Sequence, residues 1–400
     1  MRVFNVAAEL APYSNGTGLG AEIAALLAAL VKRGHDVHAI APLETGADPS
    51  SHQLARRLRP LVVSCGGGEV RFTRFEGRTA SGVNVDLLQP DAALDRSKLF
   101  EAFNLAALDL VRSAGAADAA CISWNRECAP LAALDAGLTP SGAAHFVAVR
   151  DAADDFDDWF GPPAARRVIL TRRGATERGP SPEAASLTAM LDDGRAFTLP
   201  PAVDEHPPVG PTEKASAKAA LQASYGLPVR AEVPLTVFAD GPDGPFEEAL
   251  CSYLRGDVQA VAVCSRDDKI ASLEAVAERY PDRLTILPEG VATEALLAGA
   301  DFCAALTDPV LAVRAMSFGT VPIVLAACAE GAVDLEPSLA SGSAIVAGDP
   351  SEAAVIEALG RAVSAFRLGR PFGALATRIQ GYAVTWPVYA ERVEQILAST

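Results

Sequence analysis

Two short segments carry residue types that could do chemistry at close spacing. Ser14-Asn15-Gly16-Thr17-Gly18-Leu19-Gly20 is a glycine-rich loop between an apolar run and an amphipathic stretch. At a strand-to-helix turn, the backbone N–H groups of Asn15, Gly16, Thr17, Gly18 and Gly20 suit the cradling of an anion. The competing structural reading is a tight turn that needs positive φ. Cys264-Ser265-Arg266-Asp267-Asp268-Lys269 follows a second apolar run, so Ser265, Arg266 and Lys269 could meet a charged ligand or simply open a solvated helix. Asp308 follows a third such run. Ligands of open α/β sheets sit beyond the carboxyl ends of the strands, so these three loops are expected to face one crevice.

The elements that must position these loops follow from periodicity. Arg2 to Ala8 has strand length, and Ile23, Leu26, Leu27, Leu30 and Val31 then recur at helical spacing. Gly34 closes that helix, and Val37 to Ala41 is a second buried strand ended by Pro42. A βαβ unit therefore opens the chain. Strands are expected at Arg71 to Phe75, Val83 to Leu88, Cys121 to Ser123 and Phe146 to Val149, with a helix over Leu99 to Ser113. Between about Asp151 and Lys218 an acidic run and a proline-punctuated stretch mark a domain crossing. The alternation then returns from Leu235 through Leu325. This predicts an α/β protein of two Rossmann-like, doubly wound domains in series.

Composition bounds the possible partners. A 400-residue chain with 50% hydrophobic residues has room for two cores at roughly 100–200 residues per domain. Thirty-four Lys and Arg face 50 Asp and Glu, so nucleic acid and anionic lipid surfaces are not expected partners. No apolar stretch approaches the ~18 residues that span a bilayer, which excludes a membrane span and implies a cytoplasmic protein. The seven cysteines are scattered and odd in number, against a disulfide framework. The five histidines add only His35 and His38 at close spacing, so neither a metal nor any other cofactor is expected.

The opening Met1-Arg-Val-Phe-Asn-Val-Ala-Ala-Glu-Leu-Ala-Pro-Tyr13 closely resembles the start of the bacterial glycogen and starch synthases. The resemblance continues through Gly18-Leu19-Gly20 and Arg33-Gly34-His35-Asp36-Val37. Farther on, Val233-Pro234-Leu235, Ala298-Gly-Ala-Asp301, Phe318-Gly-Thr-Val-Pro322 and Thr385-Trp386 resemble markers of that family in the same order. The resemblance implies a GT-B arrangement: an acceptor-side domain over 1–212, a donor-side domain over 213–385, and a helix over 386–400 that crosses back to the first domain. It also brings Glu9 and Asp308 forward as catalytic candidates.

The family's charged chemistry is largely missing. Asn15 stands where the family has a lysine, and Ile122-Ser123-Trp124-Asn125-Arg126-Glu127 replaces a histidine-rich segment. Phe238-Ala239-Asp240-Gly241-Pro242-Asp243-Gly244-Pro245 replaces a segment that supplies an arginine and a lysine to the leaving diphosphate. Asp308-Pro309 is all that remains of a Glu-Pro-x-Gly-Leu motif. Charge-assisted contacts are worth about 1.5–3 kcal/mol each, so these losses cost a diphosphate donor more than ~5 kcal/mol. The expected function is a glycogen synthase-like protein with a degenerate site, which binds an α-glucan or a nucleotide sugar, a related enzyme, or itself. The alternative is an active retaining glycosyltransferase with altered donor or acceptor chemistry.

Overall fold

The computed structural model describes residues 1–14, 18–43, 52, 54–115, 118–137, 141–149, 167–170, 196–238, 246–264, 267–288, 291–329 and 332–399. The chain divides into two compact units, Met1–Leu199 with Trp386–Thr400, and Pro200–Thr385.

The first unit is built on strands β1 (Arg2–Val6), β2 (Asp36–Pro42), β3 (Ala55–Arg56), β4 (Leu61–Cys65), β5 (Gly68–Arg78), β6 (Asn84–Pro90), β7 (Ala119–Trp124), β8 (Ala144–Val149), β9 (Arg167–Leu170) and β10 (Ala196–Thr198). Its helices are α1 (Gly18–Lys32), α2 (Arg96–Ser113), α3 (Asn125–Cys128) and α4 (Pro130–Gly137). The strands form one sheet in the order β10-β9-β8-β7-β1-β2-β6-β5-β3, with β4 also on β5. β1 lies at the centre with parallel partners on both sides, and Val3, Phe4 and Val6 are buried. That is why it reads as an unbroken apolar run. In α1, Ile23, Leu26, Leu27 and Leu30 supply the buried stripe. Gly34 ends the helix at φ 89°, where its N–H donates to Val31 O and the His35 N–H to Leu30 O, a Schellman motif. β5 departs from strict strand–helix alternation, because it pairs antiparallel with β3, β4 and β6.

The second unit comprises helices α5 (Pro211–Ser224), α6 (Phe246–Tyr253), α7 (Asp267–Arg279), α8 (Thr293–Gly299), α9 (Pro309–Ser317), α10 (Glu352–Phe366) and α11 (Arg370–Ile379). They surround strands β11 (Leu235–Phe238), β12 (Gln259–Cys264), β13 (Leu284–Pro288), β14 (Phe302–Ala304), β15 (Val321–Leu325) and β16 (Ile345–Ala347). The sheet is parallel throughout in the order β13-β12-β11-β14-β15-β16, the doubly wound 3-2-1-4-5-6 pattern. The unit begins at Pro200, ahead of residue 213: Val203 N donates to Val384 O, His206 Nε2 bonds Ser317 Oγ, and α5 packs on α8. The two helices approach so closely that a Cβ on Gly299 would lie 2.8 Å from Ala217 O. The last helix, α12 (Trp386–Ala398), packs on α1 in the first unit, with Arg33 Nε donating to Glu394 Oε2 at 2.7 Å. Among the described residues no helix is long and apolar enough to cross a membrane.

Each unit holds a buried acid at a junction of elements. In the first, Asp135 of α4 accepts from Arg112 Nη2 at 3.1 Å and from Ser141 N and Oγ at 2.9 and 2.7 Å, and pairs with His145 Nε2 at 2.9 Å. Burial alone would raise this carboxyl, but the bonds from Ser141 and His145 outweigh it and hold it below the ordinary range. In the second unit, Asp301 Oδ2 accepts from Leu235 N at 2.8 Å and pairs with Lys218 Nζ at 2.7 Å. Burial raises Asp301, and the Lys218 charge opposes that rise. Lys218 Nζ also donates to Ala231 O and Val233 O, so α5, the entry to β11 and the entry to β14 meet at one point.

Two outcomes follow. Lys218→Met strands the Asp301 carboxylate and should cost about 3–5 kcal/mol, read as a lower denaturation midpoint of the second unit. Asp135, depressed in the folded state, contributes stability that is complete above its unfolded pKa of about 3.9 and is lost as pH falls through the lower folded value. The Tm gap between wild type and Asp135→Asn should therefore be widest near neutrality and close below about pH 4.

Candidate functional site

In the first unit the chain leaves β1 toward β2 on one side and β7 toward β8 on the other, so the sheet's switch point lies between β1 and β7. The crevice beyond Val6 and Trp124 is where such a sheet takes a ligand. Two buried polar residues lie there. Trp124 Nε1 donates to Asn5 Oδ1 at 2.6 Å, and Asn5 Nδ2 has no hydrogen-bond partner among the described residues. Directly after β7, Asn125 takes φ 54°, a left-handed conformation that asparagine tolerates better than most side chains. Its turn is anchored to α2: Asn104 Nδ2 donates to Glu127 O at 2.8 Å, and Arg96 Nη2 to Glu127 Oε1 at 2.7 Å. The Trp124-to-Glu127 segment thus serves packing as much as the crevice. An asparagine inside an apolar strand, as at Asn5, is the sequence signal that periodicity passes over.

Glu9 lies on the loop that follows β1, half-buried. Gly18 opens α1 with free space around its Cβ position. Gly20 has a different reason to be glycine. A Cβ there would stand 3.2 Å from Ala11 N and 3.4 Å from Leu10 N, and Ala11 N donates to Gly20 O at 3.2 Å. Neither glycine has positive φ, so what Gly20 supplies is close approach of helix to loop, not a tight left-handed turn. Asn15, Gly16 and Thr17 lie outside the described residues.

In the second unit the switch point falls between β11 and β14. Their carboxyl ends, Phe238 and Ala304, are buried and apolar, as are Cys264 at the end of β12 and Ala305 and Leu306 beyond β14. Asp308 comes next. It is the N-cap of α9, and its Oδ1 accepts from Val310 N at 2.9 Å and Leu311 N at 3.1 Å. Pro309 has no N–H, and Ala312 N donates to Asp308 O at 3.1 Å. Every early N–H of α9 is therefore absent or used. The residue singled out as a catalytic candidate occupies, with its own carboxylate, the place where a helix N-terminus would hold a ligand's anion. Lys269 sits in the first turn of α7, after β12, and its carbonyl accepts from Ser272 Oγ at 3.2 Å. It shares the carboxyl edge of the sheet with Asp308, with β11 between their strands. Ser265 and Arg266 lie outside the described residues, as do Asp240 and Asp243. The candidates thus divide, with Glu9, Gly18 and Gly20 on the first unit and Lys269 and Asp308 on the second. No group of acids, histidines and cysteines among the described residues could hold a metal.

Residues 2–127 match the starch synthase catalytic domain. Glycogen synthases of Anaeromyxobacter dehalogenans are similar over 257 residues, at 31% identity in strain 2CP-1 and 30% in strain 2CP-C. The similar stretch is 58% of this chain and 53% or 54% of theirs, so the chain spans about half the length of these curated relatives. Among solved structures, the catalytic domain of starch synthase IV from Arabidopsis thaliana, bound to ADP and acarbose, superposes with a TM-score of 0.74 at 16% identity. That match covers 99% of this chain and 98% of the other. WaaG, a glycosyltransferase of lipopolysaccharide biosynthesis, gives 0.53 at 15% identity over all of both chains. The chain is thus similar in sequence to the glycogen and starch synthases through β1, α1, β2 and β7, and it shares the GT-B fold of a starch synthase over nearly its whole length.

Proposed function

We propose that this chain uses the synthase framework as a non-catalytic binding or assembly protein, with an α-glucan as its ligand and not a sugar-nucleotide donor. The observation that carries the reading is the Asp308 cap on α9 at the β11/β14 switch point. A diphosphate arriving there would meet a carboxylate instead of free N–H donors. It would also find no cation among the described residues at the carboxyl ends of β11 and β14. Of the two ligands in the Arabidopsis starch synthase IV structure, ADP is the anionic one and the one this arrangement opposes. A neutral glucan meets no such penalty on a chain of net charge −16. A cytoplasmic location accords with seven cysteines that are all free thiols.

Transfer with retention needs stabilisation of the departing diphosphate and of an oxocarbenium-like sugar, and each lost electrostatic donor typically costs ~100- to 1000-fold in rate. Incubated with radiolabelled ADP-glucose or UDP-glucose and glycogen, the purified chain should therefore incorporate label at background. Calorimetric titration should give heat with a maltooligosaccharide and little with ADP. Incorporation at ordinary enzyme turnover that vanishes in Asp308→Ala would overturn this reading in favour of a rebuilt active site. If the cap acts as described, Asp308→Ala should lower stability by about 0.5–2 kcal/mol. The same variant should tighten ADP binding by about tenfold, since it removes a like charge and frees two N–H donors.

A further inference from the structure

We propose that a cavity at the amino edge of the second sheet is a binding site for a small, uncharged, single-ring hydrophobic molecule. It offers about 210 Å³ between α5, α11 and the approaches to β11 and β14, and it opens to solvent past the exposed Pro211, Val229 and Gly373. Its wall includes Ala231, ahead of β11, and Asp301, ahead of β14, so it lies on the opposite edge of the sheet from the switch-point crevice. Enclosed apolar cavities of roughly 150 Å³ take up benzene, so by volume this half-open cavity accommodates one ring with a small substituent. Phe318, Phe366 and Phe372 line it, and the last two meet edge to face with centroids 5.4 Å apart. An entering ring adds to that cluster.

The polar groups in the wall decide the ligand class, because the protein already satisfies them. Lys214 Nζ donates to Leu297 O, Phe318 O and Thr320 Oγ1. Lys218 Nζ is taken by Ala231 O, Val233 O and Asp301, and stands 4.6 Å from the Phe366 ring centroid. Gln222 bonds Arg230 and Gln259, Gln380 bonds Val209 and Ala376, and Thr377 donates to Gly373 O. Two ammonium groups in the wall would suggest an anion, yet both have their donors committed. Burial has pushed Lys214 down to about 7, which weakens it as a partner for an anion. A neutral apolar molecule gains contact area and displaces none of these bonds.

Gly373 allows a clean test. It lines the cavity from α11, and a Cβ placed on it meets no heavy atom within 4 Å. Gly373 is exposed, so Gly373→Leu adds a side chain at the mouth of the cavity while replacing a helical glycine with a stronger helix former. The full chain is titrated with fluorobenzene and separately with fluorobenzoate, followed by 19F NMR, in wild type and in Gly373→Leu. Fluorobenzene should bind the wild type saturably and more tightly than fluorobenzoate, and at least about tenfold more weakly in the variant, whose Tm stays equal or rises. If Gly373→Leu does not fold, Val229→Trp at the rim, where Val229 is 58% exposed, is held to the same expectation. Absent saturable binding to the wild type, a preference for fluorobenzoate, or undiminished fluorobenzene binding in the folded variant overturns the proposal. None of these results bears on glucan or ADP binding.

Discussion

The second unit depends on one buried ion pair. Asp301 and Lys218 are each nearly closed to solvent, at 9% and 7% side-chain exposure, and they bring the amino ends of β11 and β14 to a single helix. Those are the strands between which the winding reverses, so the pair ties the two strands that flank the switch point. The crevice opens at the opposite ends of the same strands, and the cavity lies beside the pair itself. A buried pair of this kind stabilises little in net terms, but removing either partner is severe, because the other charge is left in the interior. Its contribution here is geometric: it commits α5 to the second sheet.

Several residues in the segments that resemble the synthases do framework work. Gly20 permits contact between α1 and the loop after β1, Gly34 ends α1, Asp301 fixes two strands, and Asp308 caps α9. The cap is the point at which framework and chemistry compete for the same atoms. A carboxylate that satisfies two N–H groups stabilises its helix and at the same time denies them to a phosphate.

The first unit owes part of its stability to the far end of the chain. Tyr389, Ala390, Val393, Ile396 and Leu397 of α12 are buried, and its Glu394 meets both Arg33 and His35 at the end of α1. The switch-point strands of this unit are tied differently, through Trp124 and Asn5 across β7 and β1. A hydrogen bond between neutral groups costs less to bury than the charges of the second unit, but it leaves the Asn5 amide NH2 without a partner among the described residues.

What the sequence determined by itself was local and periodic. The apolar run of β1, the helical stripe from Ile23 to Leu30, the closing glycine at 34 and the alternation from Leu235 to Leu325 each follow from spacing that a single element imposes on its own residues. Two doubly wound sheets were legible for that reason. The tertiary structure decided whatever needed two distant segments to meet. It made β3, β4 and β5 an antiparallel excursion, and it placed α5 with the second sheet through contacts with Gly299 and Asp301. It also turned Asp308 from a strand-end acid into a helix cap. The cavity walled by Phe318, Phe366 and Phe372 was beyond sequence reading altogether, because its rings come from three elements whose mutual distance no local pattern records.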